Sequence, residues 1–226
     1  MTENHARARV GNDETTTCPA CYARAGPFLA VGGLRYWRCG ACAATFLDRS
    51  QLPDAAAELA RYRQHRNDPA DPAYLAFLNR FARPLLARLP PRRHGLDYGS
   101  GPAAALAGLL ARAGHSVRLY DPFFRPDPAP LADSYDFITC TETAEHFHRP
   151  AEEFARFDRM LRPGGWLGVM TRFLTDDAGF ADWHYRRDPT HVVFYKPGTF
   201  RRIAAGFGWD CELPCADIAL MRKPAA

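Results

Sequence analysis

Two glycines and two carboxylates follow consecutive strand-like segments near the middle of the chain. Asp97 ends the short run that begins at His94 and opens the motif Asp97-Tyr98-Gly99-Ser100-Gly101-Pro102, and Asp121 ends the next such run. Close glycines between a strand and a helix let a ligand approach the backbone, and an acid at the end of the second strand suits ribose hydroxyls. The pattern therefore predicts a site for a nucleoside-containing ligand.

The charge of Asp97 narrows the choice of ligand. An enzyme that uses a dinucleotide holds a doubly anionic pyrophosphate at this position, and a carboxylate there would repel it. A carboxylate suits instead a cofactor that carries a cationic ammonium and a cationic sulfonium. The sequence thus favours S-adenosylmethionine.

Four of the seven cysteines form two close pairs, Cys18 with Cys21 and Cys39 with Cys42. The 17 residues between the pairs fit the spacing of zinc sites, and Gly32-Gly33 predicts a hairpin that brings the thiolates together. We interpret the segment as a zinc ribbon with a structural ion, because four cysteines leave no open coordination position. A pair of disulfides is the alternative, which a cytoplasmic location disfavours. Ordinary thiols are predicted at Cys140, Cys211 and Cys215.

The chain beyond these cysteines alternates between strand-like and helix-like segments. Apolar runs predict strands over 94–97, 116–120, 135–141, 166–171, 209–213 and 218–222. Caps, prolines and apolar spacing predict helices over 54–66, from 71 to about 89, over 102–112 and over 150–161. This order predicts an α/β fold with a doubly wound, mostly parallel sheet. Such sheets bind ligands at the carboxyl ends of their strands, where Asp97, Asp121 and Glu142 fall.

Length and composition predict one full domain with a small appendage. The chain has 226 residues, of which 47% are hydrophobic. We expect a disordered tail over 1–16, the ribbon over 17–48, a helical linker or cap over 49–92 and a ligand-binding domain over 93–226. No apolar run approaches the ~18 to 20 residues of a membrane span, and the N-terminal segment lacks the apolar core of a secretory signal. We therefore expect a cytoplasmic protein.

The net charge is +4, and almost all of the positively charged side chains are arginines. Arginines cluster at 61, 63 and 66 and again at 88, 92 and 93. A solvated helix face and linker is the favoured interpretation, and contact with nucleic acid or an anionic substrate is the alternative.

Taken together, the motifs resemble those of a known enzyme family. From about Arg93 to its end, the chain resembles Rossmann-like methyltransferases that depend on S-adenosylmethionine. The resemblance rests on the glycine motif at 97–101, Asp121, the pair Glu145-His146, and Leu161-Arg162-Pro163-Gly164-Gly165. More narrowly, the chain is similar to bacterial methyltransferases of ubiquinone-biosynthesis type with an N-terminal zinc ribbon, through the segments 62–68, 120–123 and 183–191.

This sequence departs from the family pattern in two places. The glycine motif carries Ser100 and Pro102 where many relatives have a small residue and glycine. Only about 13 residues separate Asp121 from Tyr135, so the usual third strand and its adenine-facing acid are shortened or absent. Adenine would then pack against Phe123 or Phe124, with Asp133 as the less favoured substitute for the acid.

The resemblance implies specific roles for residues. Those expected at the cofactor are Asp97, Gly99, Ser100, Gly101, Asp121, Pro122, Phe123, Thr141 and Glu142. Candidate bases are His146, His184 and His191, with Tyr185 and Tyr195 as orienting groups. We interpret residues 183–195 as the acceptor wall, a lid over the methyl group, with His65 and Asn67 opposite. The alternatives are a loop packed on the domain edge and, for His146, a purely structural hydrogen bond.

Three functions remain open from the sequence. The favoured one is methylation, at oxygen or carbon, of a small or carrier-bound acceptor. An RNA methyltransferase that grips phosphate with the ribbon and arginines is the second. A non-catalytic binding module, in which the ribbon docks a partner and the cofactor fold has decayed, is the third.

Overall fold

A computed structural model describes residues 14–64 and 67–225. Most of the predicted tail lies outside the described residues, as do His65 and Arg66. No helix in these two ranges is both long enough and apolar enough to cross a bilayer.

A six-stranded sheet forms the centre of the molecule. Its strands, in chain order, are β5 (His94–Tyr98), β6 (Ser116–Tyr120), β7 (Tyr135–Thr141), β8 (Leu161–Met170), β10 (Asp210–Cys215) and β11 (Ile218–Arg222). They lie in the order β10-β11-β8-β7-β5-β6. The four strands from β8 to β6 are parallel, and β11 and β10 add an antiparallel edge.

Helices cover both faces of this sheet. The first helix of the chain is α1 (Ala55–Tyr62), and the helices on the faces of the sheet are α2 (Pro72–Leu86), α3 (Ala105–Arg112), α4 (Pro150–Met160) and α5 (Pro197–Phe207). Successive residues of a strand point to opposite faces, so Phe137 packs with the apolar residues of α2 and α3 while Ile138 packs with those of α4 and α5. Helices on both faces of a mostly parallel sheet confirm the predicted doubly wound α/β class.

Several element boundaries differ from the prediction. α3 begins at Ala105 rather than at Pro102, because Ala104 adopts a left-handed conformation (φ 49°) that no helix can include. β8 begins at Leu161 rather than at Trp166. Residues 161–165, expected as a turn, form an irregular first part of this strand, in which Gly164 has a φ of 77°. Between β6 and β7 a short 3-10 turn, Ala129–Ala132, replaces the usual third strand.

Helix α5 was missed by the sequence prediction. It begins at Pro197, a residue whose fixed φ suits the first helical position, and it stops at Gly208 in a left-handed conformation (φ 69°). Its buried residues Phe200, Ile203 and Ala204 follow helical spacing. These three signals were available in the sequence.

The ribbon forms a second sheet that includes a strand from the far end of the chain. Its strands β1 (Thr16–Thr17), β2 (Arg24–Val31), β3 (Leu34–Cys39) and β4 (Thr45–Leu47) are antiparallel, and β4 pairs with β9 (Val193–Phe194). The β2–β3 hairpin turns at Gly32 and Gly33, both with positive φ, as the two-glycine signal predicted. The ribbon and the segment after residue 183 are therefore joined by backbone hydrogen bonds.

Candidate active site

A cleft of about 970 Å³ opens at the carboxyl ends of β5, β6 and β7. Every residue predicted at the cofactor lines it: Asp97, Gly99, Ser100, Gly101, Asp121, Pro122, Phe123, Thr141 and Glu142. Phe124 and Asn67 line it as well. One cleft therefore contains all of these groups.

The loop after β5 requires glycine at position 99. Gly99 has φ 75°, and a Cβ atom there would lie 2.3 Å from Oγ1 of Thr143. The amides of Gly99 and Ser100 both donate to the carbonyl of Tyr120, so the loop is fixed against the end of β6. A larger side chain at 99 would separate the loops that follow β5 and β7.

Asp97 is a buried carboxyl group on the floor of the cleft. Its Oδ1 accepts a hydrogen bond from Oγ1 of Thr139 at 2.8 Å, and its exposure is 2%. Burial raises the pKa of Asp97 to about 6, against the lowering effect of Thr139 and with help from the charge of Asp121. A cation placed beside this carboxyl would favour its ionised form.

Asp121 organises the loop that follows β6. Its Oδ2 accepts from the amide of Gly101, and its Oδ1 accepts from the amides of Phe123 and Phe124, each at 2.9 Å. A carboxylate has about four lone-pair sites, so it can hold these three amides and still accept from a ligand. The same side chain thus ties the glycine loop to the two phenylalanines.

Glu142 stands in a strained backbone conformation at the end of β7. Its φ of 47° lies in the left-handed region, which costs a non-glycine residue about 1–3 kcal/mol. Burial and the neighbouring charge of Glu145 raise its pKa to about 9. The raised pKa favours the protonated form of Glu142, which is able to donate a hydrogen bond into the cleft.

Two imidazoles, those of His146 and His191, line the same cleft. The Nδ1 atom of His146 lies 2.9 Å from the carbonyl of Thr190, and that of His191 lies 2.7 Å from the carbonyl of Tyr185. A carbonyl oxygen only accepts, so each Nδ1 must carry the proton and each neutral ring keeps a lone pair on Nε2. Burial lowers the pKa of His191, which favours this neutral form.

Glu145 lies beneath these imidazoles and is fully buried. Its Oε1 accepts a 2.7 Å hydrogen bond from the phenol of Tyr185, which also contacts Oγ1 of Thr171 at 3.0 Å. In the sequence, Glu145 contributes to the family resemblance, but no role was predicted for it. The available signal was its position next to His146, four residues after the predicted strand over 135–141.

The structure corrects the placements of Tyr195, of part of the acceptor wall and of Asp133. Tyr195 is fully buried, donates its hydroxyl to the carbonyl of Ala144 at 2.8 Å and does not line the cleft, so it cannot be catalytic. His184 lines the cleft but lies exposed at its rim. The part of the acceptor wall that reaches the cleft is 184–191, since Trp183 lines a separate surface pocket.

Asp133 is the third correction. It lies before β7, at the amino ends of the strands, where its Oδ2 is 3.3 Å from both His94 and Arg118. That end of the sheet is opposite to the cleft, so Asp133 cannot replace the missing adenine-facing acid.

The four ribbon cysteines form a compact cluster. The Sγ atoms of Cys18 and Cys42 are 3.7 Å apart and those of Cys21 and Cys39 are 3.5 Å apart. Four thiolates around a zinc ion with bonds of about 2.3 Å would lie about 3.8 Å apart. Backbone amides also donate to the sulfurs, from Ala20 to Cys18 and from Ala41 and Cys42 to Cys39. The donor set and its spacing fit a tetrahedral zinc ion.

Comparisons with known proteins agree with this architecture. Residues 60–213 match the family model of a methyltransferase domain. A solved structure of an O-methyltransferase family protein from Burkholderia thailandensis is similar, with 16% identity, a TM-score of 0.53, and coverage of 79% of this chain and 66% of that one. This chain thus spans about two thirds of that protein's length.

A second similar structure is the 1,6-didemethyltoxoflavin-N1-methyltransferase of Burkholderia thailandensis, solved with 1,6-didemethyltoxoflavin and S-adenosylhomocysteine. The identity is 19%, the TM-score 0.52, and the match covers 88% of this chain and 99% of that one. No curated protein sequence matches this chain. At these identities the structural matches establish the fold alone.

Proposed function

The chain belongs to the methyltransferase-domain family, and on that premise we propose that it transfers a methyl group from S-adenosylmethionine to an oxygen or carbon atom of a small or carrier-bound acceptor. The observation that carries the proposal is that one cleft contains both sets of groups the reaction needs. Asp97, Asp121 and the glycine loop line it and form what we call the donor side, and two imidazoles with available Nε2 atoms line it as well and form the acceptor side.

The donor side suits S-adenosylmethionine by charge and shape. We assign the ammonium group of the cofactor to the vicinity of Asp97, the ribose hydroxyls to Asp121 and the adenine to Phe123 and Phe124. The cleft is lined by eight carboxyl side chains and four arginines, a balance that favours a cationic cofactor and disfavours a polyanion. This balance gives no support to RNA as the acceptor.

The acceptor side has to align a nucleophile and remove its proton. Methyl transfer is an in-line displacement, in which the nucleophile attacks the methyl carbon while the bond from carbon to sulfur breaks. In the metal-free protein we assign the acceptance of the proton to Nε2 of His146 or His191. A neutral imidazole that is oriented through its Nδ1 suits this task.

The direct test uses purified protein and labelled cofactor. Titration calorimetry should detect binding of S-adenosylmethionine, and fractions of a cell extract should receive label from its methyl group. Absence of cofactor binding would sink the proposal, and so would binding without transfer to any fraction.

The pH dependence of cofactor binding offers a second test. Because a nearby ammonium favours the ionised carboxylate, binding should weaken about tenfold between pH 7 and pH 5 as Asp97, with a pKa of about 6, becomes protonated. In the free protein, the same raised pKa means that the free energy of unfolding falls as pH rises from 3.8 through about 6.

Asp97→Asn serves as the matched variant for this test, because it keeps the shape and removes the titration. Its cofactor affinity should be low and nearly independent of pH over the same range. Calorimetry in buffers of different ionisation enthalpy would also report the proton released on binding. An equal pH dependence in the variant would remove Asp97 from the explanation.

Substitution of the imidazoles tests the acceptor side. His146→Ala and His191→Ala should each lower the rate of methyl transfer, and loss of the proton acceptor should cost about 100-fold. Cofactor affinity should change less than about twofold, since neither ring lies among the donor-side groups. His94→Gln, at the opposite end of the sheet, is the control. Unchanged rates in both alanine variants would show that the acceptor proton leaves by another route.

We further propose that the ribbon holds a structural zinc ion through Cys18, Cys21, Cys39 and Cys42. Free thiols at these positions suit a reducing, cytoplasmic environment, which we retain as part of the proposal. The narrower similarity to methyltransferases of ubiquinone-biosynthesis type also remains a proposal. It is supported by Tyr62 and Asn67, which line the same cleft as His184, Tyr185 and His191.

A further inference from the structure

Glu145, His146 and His191 bring three metal-binding groups together at the cleft. One ligand atom from each lies within 4.8 Å of the others. A cation with bonds of about 2.1 Å keeps its ligand atoms roughly 3 to 4.2 Å apart. Modest side-chain rotations would therefore suffice to close this arrangement around an ion.

Backbone carbonyls orient both imidazoles through hydrogen bonds to Nδ1, as is usual for histidine ligands in metal sites. Histidine ligands in such sites donate their second ring nitrogen to a carbonyl or carboxylate, which fixes the ring and its tautomer. Here Nδ1 of His146 donates to the carbonyl of Thr190 and Nδ1 of His191 donates to that of Tyr185. Both rings thus direct unprotonated Nε2 atoms away from the backbone that anchors them.

Only one of the two carboxylate oxygens of Glu145 accepts a hydrogen bond. Tyr185 donates to its Oε1 at 2.7 Å, whereas its Oε2 is buried and has no hydrogen-bond partner among residues 14–64 and 67–225. Leaving a buried polar atom of a charged group unpaired costs about 1–3 kcal/mol or more. A ligand that accepts an electron pair from Oε2 would remove this cost.

We propose that Glu145, His146 and His191 bind a divalent first-row transition-metal cation that holds the methyl acceptor. Two neutral imidazoles and one carboxylate form a nitrogen and oxygen donor set that suits such ions and leaves coordination positions open. The three side chains line the cleft, so a cation that they hold would be within reach of an acceptor bound there. The inference deepens the proposed function and rests on it, because it concerns the acceptor side of the same site.

The cation would replace the imidazoles as the group that activates a hydroxyl acceptor. Held by these three residues, the cation would supply a positive charge that stabilises an oxyanion, so a hydroxyl acceptor would lose its proton to water. The oxyanion then attacks the methyl carbon of the sulfonium. The bond from carbon to sulfur breaks, its electron pair stays on sulfur, and the products are a methyl ether and a neutral thioether.

Manganese(II) is a suitable probe, because it binds nitrogen and oxygen ligands and has little affinity for the thiolates of the ribbon. Protein loaded with one equivalent of zinc per chain, enough for the ribbon alone, should bind one equivalent of Mn²⁺, measured by the loss of the free-ion electron paramagnetic resonance signal. Pulsed resonance should detect directly coordinated imidazole nitrogen. Glu145→Gln and His191→Ala should each weaken binding by tenfold or more, while His94→Gln should bind as the wild type does.

The resonance signal of coordinated imidazole nitrogen is measured on the wild-type protein. The test therefore does not depend on whether the variants fold. Failure of the zinc-loaded protein to bind Mn²⁺ at millimolar concentration would overturn the inference, and so would binding without imidazole nitrogen. Equal binding by Glu145→Gln would also overturn it.

The two proposals fail in different ways. The Mn²⁺ measurement requires neither S-adenosylmethionine nor an acceptor. If Mn²⁺ does not bind while labelled methyl groups are transferred, the metal inference falls and the proposed function stands. If Mn²⁺ binds through imidazole but S-adenosylmethionine does not, the proposed function falls.

Discussion

Asp121→Ala should weaken the binding of S-adenosylmethionine by about 100-fold or more. Hydrogen bonds to a charged group contribute about 1.5–3 kcal/mol each, and we assign two of them to the ribose hydroxyls. The substitution also removes the acceptor that holds the amides of Gly101, Phe123 and Phe124. Both the direct contact and the shape of the loop are lost, and titration calorimetry measures the combined effect.

Asp121→Asn separates these two contributions. Its amide oxygen can still accept from Phe123 and Phe124, but its amide group would face the N–H of Gly101 with a donor instead of an acceptor. We expect an intermediate loss of affinity. Asp127→Ala is the control, because Asp127 caps an exposed turn through the amide of Ala129 and does not line the cleft. An affinity for Asp121→Ala within about threefold of wild type would refute the ribose assignment.

Cys39→Ser should release the zinc ion and abolish methyl transfer, although the ribbon lies outside the cofactor site. Structural zinc contributes roughly 10–16 kcal/mol to the folding of isolated zinc-finger peptides, so loss of one thiolate should unfold the ribbon. We expect a lower melting temperature and less zinc by elemental analysis. Cys211→Ser is the matched control, because Cys211 is a free, half-buried thiol remote from the cluster.

We expect the loss of activity because hydrogen bonds join the ribbon to the acceptor wall. β4 pairs with β9, the amide of Leu47 donates to the carbonyl of Val192, and Thr199 donates its hydroxyl to the carbonyl of Cys42. His191 directly precedes this paired segment. Unfolding of the ribbon would therefore release His191 while the donor side remains intact.

Cofactor binding distinguishes this mechanism from general unfolding. Cys39→Ser should retain most of its affinity for S-adenosylmethionine while methyl transfer is lost. Full activity in zinc-depleted protein would contradict the structural coupling. Equal loss of cofactor binding and transfer would show instead that the whole chain depends on the ion.

The sequence predicted the donor side well for a physical reason. β6 and β7 are short apolar runs bounded by polar residues, and both were predicted with their observed limits. Once the strands were identified, the positions of Asp97 and Asp121 at a shared edge followed from the geometry of parallel sheets. These are local patterns that depend little on distant parts of the chain.

The acceptor side was harder to predict because its arrangement depends on contacts between distant segments. The pairing of β4 with β9 joins residues separated by most of the chain, and no periodic pattern encodes such pairing. Tyr195 carries a plausible catalytic group, yet its role was decided by burial against Ala144. Glu145 gained its importance only when residues near 185 and 191 were folded against it.

The contact between Gly99 and Thr143 couples the position of the donor-side loop after β5 to that of the acceptor-side loop after β7. Oγ1 of Thr143 lies 3.4 Å from the carbonyl of Gly99, and the turn that carries Glu145 and His146 begins directly after it. Position 99 cannot accept a side chain unless the loop that carries Thr143 moves. We therefore expect the two positions to vary together in related proteins, so that a substitution in one loop is accompanied by a substitution in the other.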